Sequence, residues 1–409
     1  MTLQRIPTSD SLANVRYEIR GALATRSVEL ERQGHQIIKM NVGNPGLFGF
    51  RAPDNIQRAI AASLPQSDPY SHQKGIMPAR EAVVKQQHQR GVTDVTTDDV
   101  FIGNGVSELI LICLRGLLSA GDEVLIPSPD YPLWTAATTL ALGKAVHYPC
   151  RRENGYVPDP ADVAKLVTPR TRAIVIISPN NPTGAVYPKA VIEQLVAIAE
   201  ERGLVVFSDE IYDDITYDGA VHTPVATVCK QTLCATFGGL SKVYRSCGYR
   251  VGWVSFSGAK AAAKDYMAAL DLLCALRLCS NVPGQFAVAP ALNEKSSIGE
   301  LIKPGGRLYE TRRAVIDGLA KSKLFETVTP AGALYAFVRL KPGLLPGFDD
   351  QKFAFDLLEK YHILVTPGNG FNVPYRDGIR LTLLPEAATM TKVIATLDEA
   401  ATAYATAAR

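Results

Sequence analysis

The sequence has little to support a metal site, a disulfide framework or a large charged partner. Its seven cysteines, an odd number, are scattered from Cys113 to Cys279, with no C-x-x-C pair of the kind found in zinc ribbons and dithiol redox motifs. The six histidines are isolated and form no H-E-x-x-H, so the spacing of a helical zinc site is missing. Charge is nearly balanced, 43 Lys+Arg against 40 Asp+Glu for a formal net charge of +3, and no basic run stands out to attract nucleic acid or a membrane surface. Long apolar runs are missing too. Arg115 interrupts residues 109–118, and residues 1–20 carry Arg5, Asp10, Arg16 and Glu18 in place of an apolar signal segment. The expectation is a soluble, cytoplasmic protein that acts on small molecules and has no metal, membrane or nucleic-acid partner.

What is present is length and apolar content. With 409 residues and 47% hydrophobic composition, the chain can bury one large core and a second, smaller one. Between about residues 100 and 256, short apolar runs bounded by turn residues alternate with segments of helical period. Residues 100–102, 124–127, 173–178, 204–208, 233–237 and 253–256 read as strands. They are apolar on both faces, which implies an α/β fold with a mainly parallel sheet sandwiched by helices. Residues 188–202 open with Pro188 and place Val191, Leu195 and Ile198 on one face, a crossover helix. After about residue 300, Pro/Gly-punctuated segments and an alanine-rich tail suggest an α+β lobe. The expected division is a large domain of residues 46–300 and a small domain of residues 1–45 and 301–409.

In a parallel sheet, ligands bind beyond the carboxyl ends of the strands, so the polar residues after each apolar run are the ones to inspect. Gly103-Asn104-Gly105-Val106-Ser107-Glu108 opens a helix; Asn180-Asn181-Pro182-Thr183-Gly184, Asp209-Glu210-Ile211-Tyr212 and Gly239-Leu240-Ser241-Lys242 follow three other strands, with Arg250 shortly after. A glycine loop at a helix start turns backbone N–H groups toward an anion, and an arginine adds a bidentate contact to a phosphate. A carboxylate against a pyridine nitrogen would keep it protonated, and a lysine amine can condense with an aldehyde. That inventory suits pyridoxal 5'-phosphate.

The ordered set resembles the fold-type I pyridoxal-phosphate enzymes, class I/II aminotransferases, and within them the bacterial glutamate-pyruvate (alanine) aminotransferases. Its further carriers are Asn41-Val42-Gly43-Asn44-Pro45, Pro129-Asp130-Tyr131-Pro132-Leu133-Trp134 and Gly248-Tyr249-Arg250-Val251-Gly252. By that resemblance, Lys242 would hold the cofactor as a Schiff base and shuttle the substrate proton, Asp209 would bind the pyridine nitrogen, and Asn181 and Tyr212 the 3'-oxygen. Tyr131 would stack on the ring, while Val106, Ser107 and Arg250 would hold the phosphate. Tyr70 resembles the tyrosine that reaches a neighbouring subunit's phosphate, which implies a homodimer with active sites at its interface. Arg380 resembles the arginine that clamps the substrate α-carboxylate, with Gly43 and Asn181 completing that site. Arg20 is the candidate for meeting the distal carboxylate of glutamate. Many relatives have serine where this chain has Gly239, and Ser241 is the candidate substitute phosphate ligand.

Each residue alone has a plainer explanation. Asp209 could cap a helix, Lys242 could be a surface lysine, Tyr131 and Tyr212 could fill space, and Arg380 could pair with a surface acid such as Glu386. Cys247 reads as small-residue packing rather than a reactive thiol. The joint order at strand ends favours the cofactor site. The activity implied is exchange of an amino group between L-alanine and 2-oxoglutarate, with other amino acids and 2-oxo acids as alternatives. Aspartate, aromatic or branched-chain donors, or a carbon-sulfur lyase on the same fold, remain open.

Overall fold

The computed structural model describes residues 6–13, 15, 17 and 21–407. After a short strand β1 (Ile38–Lys39), seven strands build the central sheet: β2 (Val100–Gly103), β3 (Glu123–Ser128), β4 (Lys144–Pro149), β5 (Thr171–Ile177), β6 (Val205–Asp209), β7 (Leu233–Gly239) and β8 (Gly252–Gly258). Their order is β2-β8-β7-β6-β5-β3-β4. Neighbours from β7 to β4 are parallel, whereas β8 runs antiparallel to both β2 and β7. Strand β5 shows why the sheet needs two covers. Ala173, Val175 and Ile177 enter one core and Ile174 and Ile176 the other, all essentially inaccessible to water. Side chains alternate along a strand, so both faces must be packed, and truncating one such Ile to Ala should cost about 2–5 kcal/mol.

The crossover helix Lys189–Arg202 begins just after Pro188, buries Ile192, Leu195, Val196 and Ala199, and stops at Gly203. Strand β4 is absent from the sequence-based strands. It lies at the sheet edge and is mostly half-exposed, so it lacks the apolar signature of its neighbours.

A second core gathers Leu23, Leu30 and Met40 with residues between Val315 and Ala401. Its sheet contains β9 (Phe325–Thr327), β10 (Tyr335–Leu340), β12 (Thr366–Pro367) and β13 (Gly378–Thr382), antiparallel in the order β12-β13-β10-β9. Strand β11 (Ile363–Leu364) pairs instead with β1, tying the N-terminal segment to this part of the chain. Alternation along β10 joins the two cores: Ala336, Val338 and Leu340 enter the second, while Tyr335 and Phe337 turn toward the first. The same parity on β13 sends Ile379 and Leu381 inward and leaves Arg380 on the opposite face, opposite Phe337 in the ladder. Among the described residues no helix is long and apolar enough to cross a membrane.

Candidate active site

The carboxyl ends of β5, β6 and β7, the helix start at Val106 and the faces of β10 and β13 just described enclose a cavity of about 580 Å³. Gly43, Val106, Ser107, Tyr131, Asn181, Asp209, Tyr212, Ser241, Lys242, Arg250 and Arg380 all line it. Tyr70 does not: it is 77% exposed, on a segment held by Gln73 to Asp271 of the helix Lys264–Leu276. Arg20 lies outside the described residues.

One end of the cavity is built for an anion. The helix Val106–Leu117 presents its first turn there, where backbone N–H groups have no partners within the helix. Glu108 holds the entering loop by accepting from the Asn104 backbone N–H at 2.7 Å and its side-chain amide at 2.9 Å. Gly105 sits at φ +85°, and a Cβ there would collide with the Arg250 guanidinium. Arg250 donates to the carbonyls of Cys247 (2.8 Å) and Asn104 (3.3 Å), which hold its charge beside the helix start. A Cβ at Gly239 would stand 3.0 Å from the Val251 carbonyl oxygen and 3.1 Å from Gly252 Cα. The backbone crowding gives a physical reason for glycine at this position.

At the floor, Asp209 ends β6 and is 3% exposed. Burial pushes its carboxyl up to about 6, against the lowering pull of the Trp134 indole N–H, which donates to Oδ2 at 3.1 Å. Lys242 Nζ donates to the Gly43 carbonyl at 2.6 Å. The loop carrying Tyr131 is pinned by Asp130, fully buried, which accepts from Thr135 at 2.6 Å and Asn372 at 2.9 Å. Burial also raises the Asp130 carboxyl, to about 7.

The opposite end holds Arg380, 1% exposed. One Nη donates to Asn181 Oδ1 at 3.0 Å, the other to the Asn41 carbonyl and, at 3.4 Å, to Thr366. The guanidinium lies over the rings of Tyr335 (4.4 Å) and Phe371 (4.9 Å). Among the described residues no carboxylate pairs with it, so the surface ion pair with Glu386 is not formed, and its buried Nε has no hydrogen-bond partner. A buried cation in that state is a receptor for an incoming carboxylate.

Sequence reasoning missed Tyr335 and Tyr17. Tyr335 donates to or accepts from Tyr212 across 3.0 Å, and a Cβ on Gly43 would collide with its hydroxyl. Tyr17 lines the cavity, its hydroxyl 3.2 Å from that of Tyr131. Trp134 stood within a quoted motif but had no role assigned. Cys247 is half-buried and lines the cavity, its Sγ 3.1 Å from Asn44 Oδ1, rather than packing in the core.

Such a cavity, with a lysine, a buried acid, an anion cradle and a buried arginine that no carboxylate among the described residues pairs with, at the strand ends of an α/β sheet, defines a group-transfer enzyme for small anionic molecules. The chain belongs to the aminotransferase class I and II family, whose model it matches over residues 35–397. It is 46% identical over 380 residues to glutamate-pyruvate aminotransferase AlaA of Escherichia coli, covering 93% of this chain and 94% of that one. It is 48% identical over 378 residues to the alanine aminotransferase of Mycobacterium tuberculosis, covering 92% and 88%. The crystal structure of an aminotransferase from Escherichia coli superposes with a TM-score of 0.95 at 44% identity, covering 97% of this chain and 98% of that one.

Proposed function

We propose that this protein is an alanine aminotransferase: with pyridoxal 5'-phosphate as cofactor, it moves the amino group between L-alanine and 2-oxoglutarate to give pyruvate and L-glutamate. The observation that carries this is Arg380, a buried cation with no acidic partner among the described residues, in one cavity with Lys242 and Asp209. The donor set fits the cofactor: a helix start and Arg250 for a dianionic phosphate, a buried acid for a ring nitrogen, and a lysine for an aldehyde.

The cofactor, when bound, supplies an electron-withdrawing ring that stabilises negative charge at the substrate Cα. Lys242 would hold it covalently, and its Nζ, once freed, would take the proton from the substrate Cα and deliver it to the C4' carbon of the cofactor, so one amine would serve as anchor and as general base and acid. Asp209, oriented by Trp134, keeps the ring nitrogen protonated. Asn181 and Tyr212 would bind the ring oxygen, Tyr131 would pack against the ring, and Val106, Ser107, Ser241 and Arg250 would hold the phosphate. Arg380 with Gly43 and Asn181 binds the substrate α-carboxylate, and Arg20 meets the distal carboxylate of glutamate. Pyruvate leaves before 2-oxoglutarate enters, because both carboxylates compete for Arg380.

In this reading the domains are residues 46–300 and residues 1–45 with 301–409, and the working unit is a homodimer. Leu272, Leu276 and Leu278 are exposed at the end of the helix Lys264–Leu276, to which the segment of exposed Tyr70 is tied by Gln73 and Asp271; they would supply apolar surface for that contact, with Tyr70 reaching the partner's phosphate site. The visible spectrum of the purified protein tests the reaction. L-alanine alone should remove the cofactor band and 2-oxoglutarate should restore it. A band indifferent to alanine would move the assignment to another amino donor, and pyruvate release from a β-substituted amino acid without an oxo-acid acceptor would move it to a lyase.

A further inference from the structure

We propose, resting on the placement of Arg250 at the cofactor phosphate, that Asn281 is a positioning residue: its side-chain amide ties the Arg250 backbone to the anion-binding loop and so sets where the guanidinium meets the phosphate. Strands β2 and β8 pair as far as Gly103 opposite Gly252. Asn104 and Arg250 lie just beyond that last rung, where the ladder no longer joins the two segments. Arg250 is also left-handed there, at φ +54° and ψ +54°, a conformation that a residue with a Cβ seldom adopts without outside support. Asn281 supplies the support from the start of the short helix Val282–Gln285. Its Nδ2 donates to the Arg250 carbonyl at 3.0 Å and to that of Tyr249 at 3.4 Å, while its backbone N–H donates to Asn104 Oδ1 at 2.8 Å.

The direction of each bond is fixed by partners that can play only one part. The Glu108 carboxylate accepts from Asn104 Nδ2 at 2.9 Å, so Asn104 turns its oxygen toward Asn281. The Gly284 backbone N–H donates to Asn281 Oδ1 at 2.8 Å, so the amide NH2 of Asn281 faces the two carbonyls. Arg250 is thereby held at both ends by the same two residues, its guanidinium by the Asn104 carbonyl and its own carbonyl by Asn281. Asn281 does not line the cavity, so its effect on a phosphate passes through Arg250 and the loop.

The Asn281 side chain both caps a helix and holds Arg250, and the two roles separate by substitution. Serine caps as well through its oxygen but is one atom shorter and has no amide, so Asn281→Ser keeps the helix start and releases Arg250. The test strips the holoenzymes of wild type, Asn281→Ser, Arg250→Ala and the double variant, then titrates each with pyridoxal 5'-phosphate and with phosphate-free pyridoxal, followed by visible absorption. The ratio of the two dissociation constants isolates the phosphate's share of binding. Arg250→Ala should lower that preference about a hundredfold, Asn281→Ser about tenfold, and the double variant no further than Arg250→Ala alone. In Asn281→Ser the pyridoxal constant and the unfolding midpoint of the cofactor-free protein should match wild type. Equal losses for both ligands in Asn281→Ser, no loss for either, or a double variant whose loss is the product of the two would overturn the proposal. An unchanged preference in Arg250→Ala would instead remove the placement of Arg250, and the proposal with it. Asn281→Asp, which also keeps the cap and loses the donor, should lower the preference at least as far and serves if Asn281→Ser does not fold.

Discussion

Replacing Asp209 with asparagine should stabilise the cofactor-free protein while disabling the enzyme. Burial raises the Asp209 carboxyl from an ordinary value of 3.8 to about 6, a position that already includes the hydrogen bonds from Trp134 and Ile211 and the nearby Lys242 charge. The folded chain therefore binds this proton more tightly than the unfolded chain, and stability falls as pH rises through the interval between those values. Above about pH 6 the folded protein carries the full penalty of a buried carboxylate, about 3 kcal/mol for that interval. Asparagine cannot ionise and retains an oxygen for the Trp134 N–H, so Asp209→Asn should be about 1–3 kcal/mol more stable at pH 8. The gain should shrink by about 2 kcal/mol at pH 4.5, where much of the wild-type carboxyl is protonated. Urea unfolding of cofactor-free wild type and variant at both pH values measures it. A gain that is absent at pH 8, or the same at both, would refute the reasoning. With cofactor bound the order should reverse, and kcat/KM should fall by roughly 100-fold or more, since a preorganised charge at the reacting ring is lost.

Arg380→Lys keeps the charge but not the planar fork that reaches Asn181 and the Asn41 carbonyl together; kcat/KM for L-alanine should drop about 100-fold with an unchanged fold, as steady-state kinetics and circular dichroism would show. Gly105→Ala forces a methyl into the Arg250 guanidinium at a positive φ, and should lower stability by about 1–3 kcal/mol and speed cofactor release, followed by gel filtration and absorbance. Stripping the cofactor should lower the unfolding midpoint, restored on adding it back at a rate of about 4 kcal/mol per thousandfold excess over its dissociation constant. Trp134→Phe should raise the Asp209 carboxyl further, shifting the pH dependence of cofactor binding upward by about one pH unit in a spectroscopic titration.

Half of this site is local in the chain and half is not. Val106, Asn181, Asp209 and Lys242 each follow a strand whose apolar run is visible in sequence, so the rule that parallel strands deliver ligand groups at their carboxyl ends reaches them directly. Edge strand β4 escaped because exposure erases the apolar pattern. Tyr335 escaped for a different reason. Its strand reads as Tyr-Ala-Phe-Val-Arg-Leu, apolar on both faces, so alternation alone cannot say which face looks into the cavity. The face is settled only by register, Phe337 opposite Arg380, a pairing between segments about forty residues apart that no local pattern encodes. Had Arg380 been used as the reference, every second residue of β10 would have followed, with Tyr335 one ladder step from the arginine it lies beneath. A known ligand-binding residue on one strand thus converts the two-residue period of its neighbour from an ambiguity into an assignment, provided the register is known.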